Sequence, residues 1–263
     1  MKIGFIGFGH MAEAMYRGLI KARCIEPRDV TACASNYEKL MERAPGIRVV
    51  RTPEEVARES GVVFICVKPG QVKDVVLPIK KQLQGNIVVS VAFGLDFDTY
   101  EEMFTEEGEP SAIKHISIIP NTPCEVCEGI TIVEDKHNLS DPEFEIVRGL
   151  LKKLGEIETV PSDKMWLAGE MTSCGPAFAA MFIEALGNAG AKYGIDPEVA
   201  YRIVARMVSG TGRLQVEAGK NPGDMVTEVA TPGGVTIKGV TAMKEAGFSE
   251  VVAKSIDAIE ESK

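Results

Sequence analysis

Lys2-Ile3-Gly4-Phe5-Ile6-Gly7-Phe8-Gly9-His10-Met11-Ala12 is the stretch whose reading decides the fold. Residues 2–6 form a short apolar run of strand type. Gly7, Gly9 and Ala12 follow it as G-x-G-x-x-A, and Ala12, Met15, Leu19 and Ile20 then recur at helical spacing. A glycine-rich turn between a strand and a helix is the context in which this motif holds a dinucleotide. Gly7 permits the tight turn, and Gly9 lets the backbone reach a pyrophosphate. Ala12 lets the helix pack close to the strand while its N-terminus faces the phosphates. An ordinary strand-to-helix turn is the plainer reading. The position directly behind an apolar strand favours the nucleotide.

The end of the second strand discriminates between cofactors. Where NAD is preferred, an acidic residue there bonds the ribose 2′-hydroxyl and repels a 2′-phosphate. This chain has Ser35-Asn36-Tyr37, with Lys39 close behind. Neutral donors beside a cation favour NADPH, with NADH as the alternative. The competing reading is that Ser35 and Asn36 merely cap the next helix.

Outward from this core, β-like runs alternate with helical patterns. Strands are expected over 2–6, 30–34, 47–51, 61–67, 86–91, 113–119, 130–133 and 157–160. Helices are expected over 11–21, 37–43, 53–60, 72–83, 97–104 and 142–154. Continuous apolar runs such as Val62-Val63-Phe64-Ile65-Cys66-Val67 suit parallel strands covered on both faces, so the expected class is α/β with a Rossmann-type doubly wound sheet. Ligands bind beyond the carboxyl ends of such strands. Three punctuated segments fall there: Val67-Lys68-Pro69-Gly70, Ser90-Val91-Ala92-Phe93-Gly94 and Ile119-Pro120-Asn121-Thr122-Pro123.

After Pro161 strand patterns cease, Ser162 is a suitable N-cap, and Asp196-Pro197 and Asn221-Pro222 mark further helix starts. Two domains are therefore expected: residues 1–160 for the nucleotide, and an all-helical oligomerisation domain over 161–263. Between Pro176 and Tyr193, Phe178, Met181, Phe182, Ala185, Leu186 and Ala189 share one helical face, and small residues occupy much of the rest. A helix apolar or small on most sides calls for cover that a domain of about 100 residues does not supply, so a second subunit is expected on it.

Composition excludes several functions. The net charge is −9 over 263 residues, with no basic patch, which argues against nucleic acid. No apolar run spans a bilayer and no signal peptide is evident, so a cytoplasmic, membrane-free protein is expected. The six cysteines include a C-x-x-C at Cys124 and Cys127, but no second pair or histidine stands at ligand spacing. Reduced thiols and no metal are the expectation.

The remaining informative stretch is Thr231-Pro232-Gly233-Gly234-Val235-Thr236. Two glycines behind a proline form a turn whose N–H groups can make an anion-binding nest, and two threonine hydroxyls bracket it. Such a site suits a small carboxylate carrying a polar group.

Taken together, these motifs resemble the pyrroline-5-carboxylate reductase family over essentially the whole chain. The resemblance rests on 3–11, on Val67-Lys68-Pro69, on Pro120-Asn121-Thr122-Pro123, on Gly175-Pro176-Ala177-Phe178 and most specifically on 231–236. It implies NAD(P)H-dependent reduction of the cyclic imine 1-pyrroline-5-carboxylate to L-proline, the last step of proline biosynthesis. It also implies cofactor contacts at Gly7, Phe8, Gly9, His10, Met11, Ala12, Ser35, Asn36, Val67, Lys68, Pro69, Ala92 and Phe93. Substrate contacts would fall on Thr231, Gly234, Val235 and Thr236, with the backbone of Gly233 beside them and Thr236 as the catalytic hydroxyl. The family further implies interlocked homodimers, commonly gathered into decamers. Cys174 and Phe178 stand where the family usually has serine and tyrosine, which puts the polar role of the first position in question.

Rival readings are another imine reductase, a 3-hydroxyacid dehydrogenase, and a non-enzymatic NADPH-sensing module. Hydroxyacid enzymes of that kind place a lysine on the interdomain helix. Lys164 and Lys192 lack the glycine-rich context such enzymes show.

Overall fold

Runs of four apolar residues, too short for helices, become strands of one sheet in the computed structural model, which describes residues 1–105 and 112–261. In chain order they are β1 (Ile3–Ile6), β2 (Val30–Cys33), β3 (Arg48–Val49), β4 (Val62–Ile65), β5 (Ile87–Ser90), β6 (Lys114–Ile119), β7 (Gly129–His137) and β8 (Gly155–Val160). Across the sheet the order is β3-β2-β1-β4-β5-β6-β7-β8. The strands from β3 to β6 run parallel, β7 is antiparallel to β6, and β8 is parallel to β7.

Seven helices accompany the sheet among the described residues: α1 (His10–Lys21), α2 (Tyr37–Arg43), α3 (Pro53–Glu59), α4 (Pro69–Val76), α5 (Lys80–Leu83), α6 (Phe97–Phe104) and α7 (Asp141–Leu151). Alternate strand residues supply two cores. Phe5, Phe64 and Val89 belong to one, Ile6, Ile65 and Val88 to the other. Side chains alternate across a strand, so a sheet covered on both faces needs apolar residues at every position. Phe5 and Phe64 stack at 5.2 Å between ring centroids.

Helix starts follow local chemistry. Thr52 and Glu55 form a capping box at α3, Ser140 and Glu143 another at α7. The helix expected over 72–83 begins earlier and is interrupted. Pro69 occupies the first position of α4, where a missing N–H costs nothing, and a 3-10 turn at Leu77–Ile79 carries Pro78 between α4 and α5. The expected strand 130–133 is longer and antiparallel to its neighbour. Its connection from β6, residues 120–128, is shorter than a parallel crossover requires.

That connection holds a 3-10 turn, Thr122–Val126, packed on α1. A Cβ on Gly18 would lie 2.1 Å from the Cys124 carbonyl oxygen, so α1 and the turn meet backbone to backbone. Cys124 is buried, and Cys127 adopts a left-handed conformation at φ 66°. The C-x-x-C pair thus closes a turn, and its thiols are free.

The chain divides into two compact units, Met1–Pro176 and Ala177–Lys263. The dividing point lies within α8 (Ser162–Lys192). The second unit adds α9 (Pro197–Ala218), α10 (Pro222–Val229), α11 (Val235–Glu245) and α12 (Phe248–Glu260). No strand follows Val160 among the described residues. Asp196 caps α9 and Asn221 caps α10, each with proline next. Gly187 lets α8 approach α9 closely, because a Cβ there would lie 2.4 Å from the Tyr201 ring. Large apolar side chains of this unit stay exposed in the single chain, Met181 by 66% and Val251 by 64%. Among the described residues no helix is long and apolar enough to cross a membrane, and no His/Cys/Asp/Glu group could hold a metal ion.

Candidate active site

The strand order reverses between β1 and β4, and a cleft of about 620 Å³ opens beyond their carboxyl ends. This is where an open α/β sheet binds ligands. Gly7, Phe8 and Gly9 after β1, Ser35 and Asn36 after β2, and Val67 and Lys68 after β4 all line it.

The two glycines have different reasons for being there. Gly7 has φ 85°, and a Cβ on it would lie 2.8 Å from Val67 and 2.9 Å from the Cys66 backbone. Gly7 is thus required by the turn itself. Gly9, the N-cap of α1, has φ −84°, and a Cβ on it would meet no protein atom within 4 Å. No protein packing requires its lack of a side chain. The space beyond it is free for a ligand to approach the helix N-terminus, so the cradle fits a pyrophosphate.

The walls sort by charge. Lys39, Arg43, Arg51 and Lys68 line the cleft, and no acidic side chain does, in a protein whose net charge is −9. Asn36 caps α2 by accepting from the Lys39 N–H at 2.8 Å. The capping reading is therefore correct for its Oδ1, while its amide nitrogen can still donate to a ligand. Cys33 and Cys66 also line the cleft. Burial pushes the Cys33 thiol up to about 11 and raises that of Cys66 further, so both stay neutral near pH 7.

Other expected contact residues lie outside this lining. Ala12 is fully buried where α1 packs on the sheet, Met11 is half-buried, and His10 and Pro69 are exposed at the starts of α1 and α4. Ala92 is buried, and the Phe93 ring stands 5.3 Å from Trp166. The loop carrying them is well anchored: Ser90 Oγ accepts from the Ala92 N–H, Ser117 Oγ donates to the Leu95 carbonyl at 3.1 Å, and Glu134 accepts from the Phe97 N–H at 2.8 Å. Burial raises the Glu134 carboxyl, which the N-terminus of α6 and Ser162 partly offset.

Arg43, Arg51 and Gln71 were not singled out as site residues from sequence. They come from the end of α2, the loop after β3 and the first turns of α4. For the two arginines the sequence signal is a cation recurring at Lys39, Arg43, Arg48 and Arg51, interleaved with acids; Gln71 carries none.

In the second unit, Thr231-Pro232-Gly233-Gly234 forms a β-turn, with the Gly234 N–H donating to the Thr231 carbonyl at 3.0 Å. Proline precedes a glycine at φ 79°, the requirement of a type II turn. Gly234 is then the N-cap of α11, with Val235 and Thr236 in its first turn. The first N–H groups of a helix lack intrahelical partners. Gly233, Val235 and Thr236 are exposed in the single chain, as is Thr231. The turn thus gathers unpaired N–H groups and two hydroxyls, a donor set suited to a carboxylate.

The sheet order, the Gly9 cradle and the basic walls define a dinucleotide-binding protein of the Rossmann class. Comparison with known proteins narrows the class. Residues 162–263 match the family described as pyrroline-5-carboxylate reductase dimerisation, and residues 2–94 match NADP oxidoreductase coenzyme F420-dependent. A pyrroline-5-carboxylate reductase of Treponema pallidum is 36% identical over 98% of this chain and 98% of its own length. One of Arabidopsis thaliana is 31% identical over 97% of this chain and 91% of its own. A crystal structure of pyrroline carboxylate reductase of Plasmodium falciparum with NADP bound matches at a TM-score of 0.88 and 26% identity, covering 100% of this chain and 96% of that one. The chain belongs to the pyrroline-5-carboxylate reductase family.

Proposed function

We propose that this chain reduces 1-pyrroline-5-carboxylate to L-proline with NADPH, closing proline biosynthesis. One observation carries the cofactor half: a Rossmann cleft with four cationic and no acidic side chains in its walls, within an acidic protein. Relatives across kingdoms bear the reductase name, and the Plasmodium enzyme holds NADP. The rival readings as a hydroxyacid dehydrogenase, another imine reductase or a sensing module lose ground to the family match.

When bound, NADPH supplies the hydride for the imine carbon, and a proton on the ring nitrogen completes the amine. The chain's tasks are binding, orientation and exclusion of water. Gly7, Phe8 and Gly9, with the N-terminus of α1, hold the pyrophosphate. Ser35 and Asn36 take the adenosine ribose, and Val67, Lys68, Pro69, Ala92 and Phe93 take the remainder, with His10, Met11 and Ala12 setting the first turn of the helix. The N–H groups of Gly233, Val235 and Thr236 hold the substrate carboxylate, with the Gly234 N–H and Thr231 closing the turn. The Thr236 hydroxyl bonds the ring nitrogen. A hydroxyl is a weak acid, so its part is to orient an iminium that arrives protonated.

The same proposal assigns 1–160 to the cofactor and 161–263 to substrate and assembly, as homodimers, with the decamer as the larger assembly the family implies. Six free cysteines fit a reducing, cytoplasmic setting. The test is direct. Purified protein given pyrroline-5-carboxylate should consume NADPH and release proline in equal amounts, and absence of proline under saturating conditions refutes the assignment.

A further inference from the structure

Among the basic residues of the cleft, Arg51 is held differently from the rest. Its guanidinium carbon lies 4.5 Å from the centroid of the Tyr37 ring, well within cation–π range. Tyr37 opens α2 directly after Ser35 and Asn36, and Arg51 follows β3, which pairs with β2. The Arg51 head is thus laid across the mouth of β2, where the adenosine ribose of a dinucleotide sits in this fold.

Neighbouring arginines are matched by carboxylates. Arg43 pairs with Glu13 at 3.5 Å, Arg58 with Glu54 at 2.6 Å, and Arg48 with Glu59. No ion pair to Arg51 occurs among the described residues. The nearby Glu55 turns its Oε2 to the backbone instead, accepting from the Arg51 and Thr52 N–H groups and the Thr52 hydroxyl. The result is a cation in no ion pair among the described residues, held against an aromatic ring in the wall of an anion-binding cleft. Lys39 also lines the cleft and is exposed like Arg51, but an ammonium on a flexible stem with no ring beside it has no comparable preorganisation.

We propose that Arg51 is the residue that selects NADPH over NADH, its guanidinium edge binding the adenosine 2′-phosphate while Tyr37 positions it. This rests on the cofactor reading above and adds to it a specificity residue beyond the β2 terminus. A planar guanidinium suits phosphate because two N–H groups can meet two oxygens at once.

The test is titration calorimetry of the intact protein with NADPH, NADH, 2′,5′-ADP and 5′-AMP. Arg51→Gln should weaken NADPH and 2′,5′-ADP by about 10–100-fold and change NADH and 5′-AMP by less than about 3-fold. Arg51→Lys should recover part of the loss, and Tyr37→Leu, which keeps the charge but frees it, should weaken the phosphorylated pair by a smaller factor. Unchanged NADPH binding in Arg51→Gln, or equal weakening of all four ligands, would overturn the assignment while leaving the cofactor reading intact. A wild-type chain that bound neither NADPH nor NADH would overturn both.

Discussion

The Asn121 side-chain amide donates to the Thr172 backbone carbonyl at 3.1 Å, at the point where α8 carries Pro176. A proline four residues on cannot supply the N–H that a helix carbonyl expects, so Asn121 fills the bond that Pro176 removes. Its other end is used as well. Asn121 Oδ1 accepts from the Ile130 N–H at 2.9 Å, which ties the end of β6 to both β7 and the helix.

Asn121→Leu would leave the Thr172 carbonyl and the Ile130 N–H without partners. A loss of about 2–4 kcal/mol is expected, since each orphaned buried group costs about 1–3 kcal/mol. Urea unfolding of variant and parent measures it, and a loss below about 1 kcal/mol would show that water replaces the amide at little cost.

Gly18→Ala places a Cβ 2.1 Å from the Cys124 oxygen, a backbone atom that cannot step aside alone. The expected cost is about 2 kcal/mol or more. Gly149→Ala in α7 is the control. Nothing lies within 4 Å of its new Cβ, and helix propensity should add about 0.5–1 kcal/mol. Thermal melting of both variants should show opposite shifts.

His115 lies buried among Phe97, Tyr100 and Phe104, with its Nε2 2.8 Å from a Glu101 oxygen. Burial holds its imidazole below the ordinary value, and the Glu101 contact only partly opposes this. A lowered folded-state value means this contribution to stability is complete above about pH 6.5 and is lost as pH falls through the folded value. The unfolding free energy of the parent should therefore drop more steeply between pH 7 and 5 than that of His115→Gln. Parallel pH profiles would remove His115 from the acid sensitivity.

Thr236→Ala tests the substrate turn. It should lower kcat/KM by about 10–1000-fold, equal to about 1.4–4 kcal/mol of transition-state stabilisation, with NADPH affinity little changed. An unimpaired variant would take Thr236 out of the mechanism.

Assembly is tested at Ala185, which is exposed in the single chain, close to the exposed Met181 and Leu186. A lone subunit would tolerate arginine there, whereas a packed interface would bury an unpaired charge. Light scattering should give the parent at least twice 28.4 kDa, and Ala185→Arg should lose that mass. An Ala185→Arg protein of unchanged mass would show that the dimerisation region assembles through another face, and a parent that stays monomeric would refute the second subunit altogether.

Much of the molecule is written locally. The buried runs of β1, β2, β4 and β5, the capping boxes at Thr52 and Ser140, and Gly7 in its strand-to-helix turn follow from period and sterics within a few residues. The 231–236 turn is of the same kind, because Pro232 and Gly233 specify its shape wherever it lies. Local rules do not report which distant segments meet. The Asn121–Thr172 bond and the gathering of Arg43, Arg51 and Gln71 with the glycine turn each join residues separated in sequence by other elements. Only the order of strands in the sheet brings the residues of each group together. A cation at position 51 has the same chemistry in any fold. It became part of a candidate phosphate site because β3 pairs with β2 and sets its guanidinium on Tyr37.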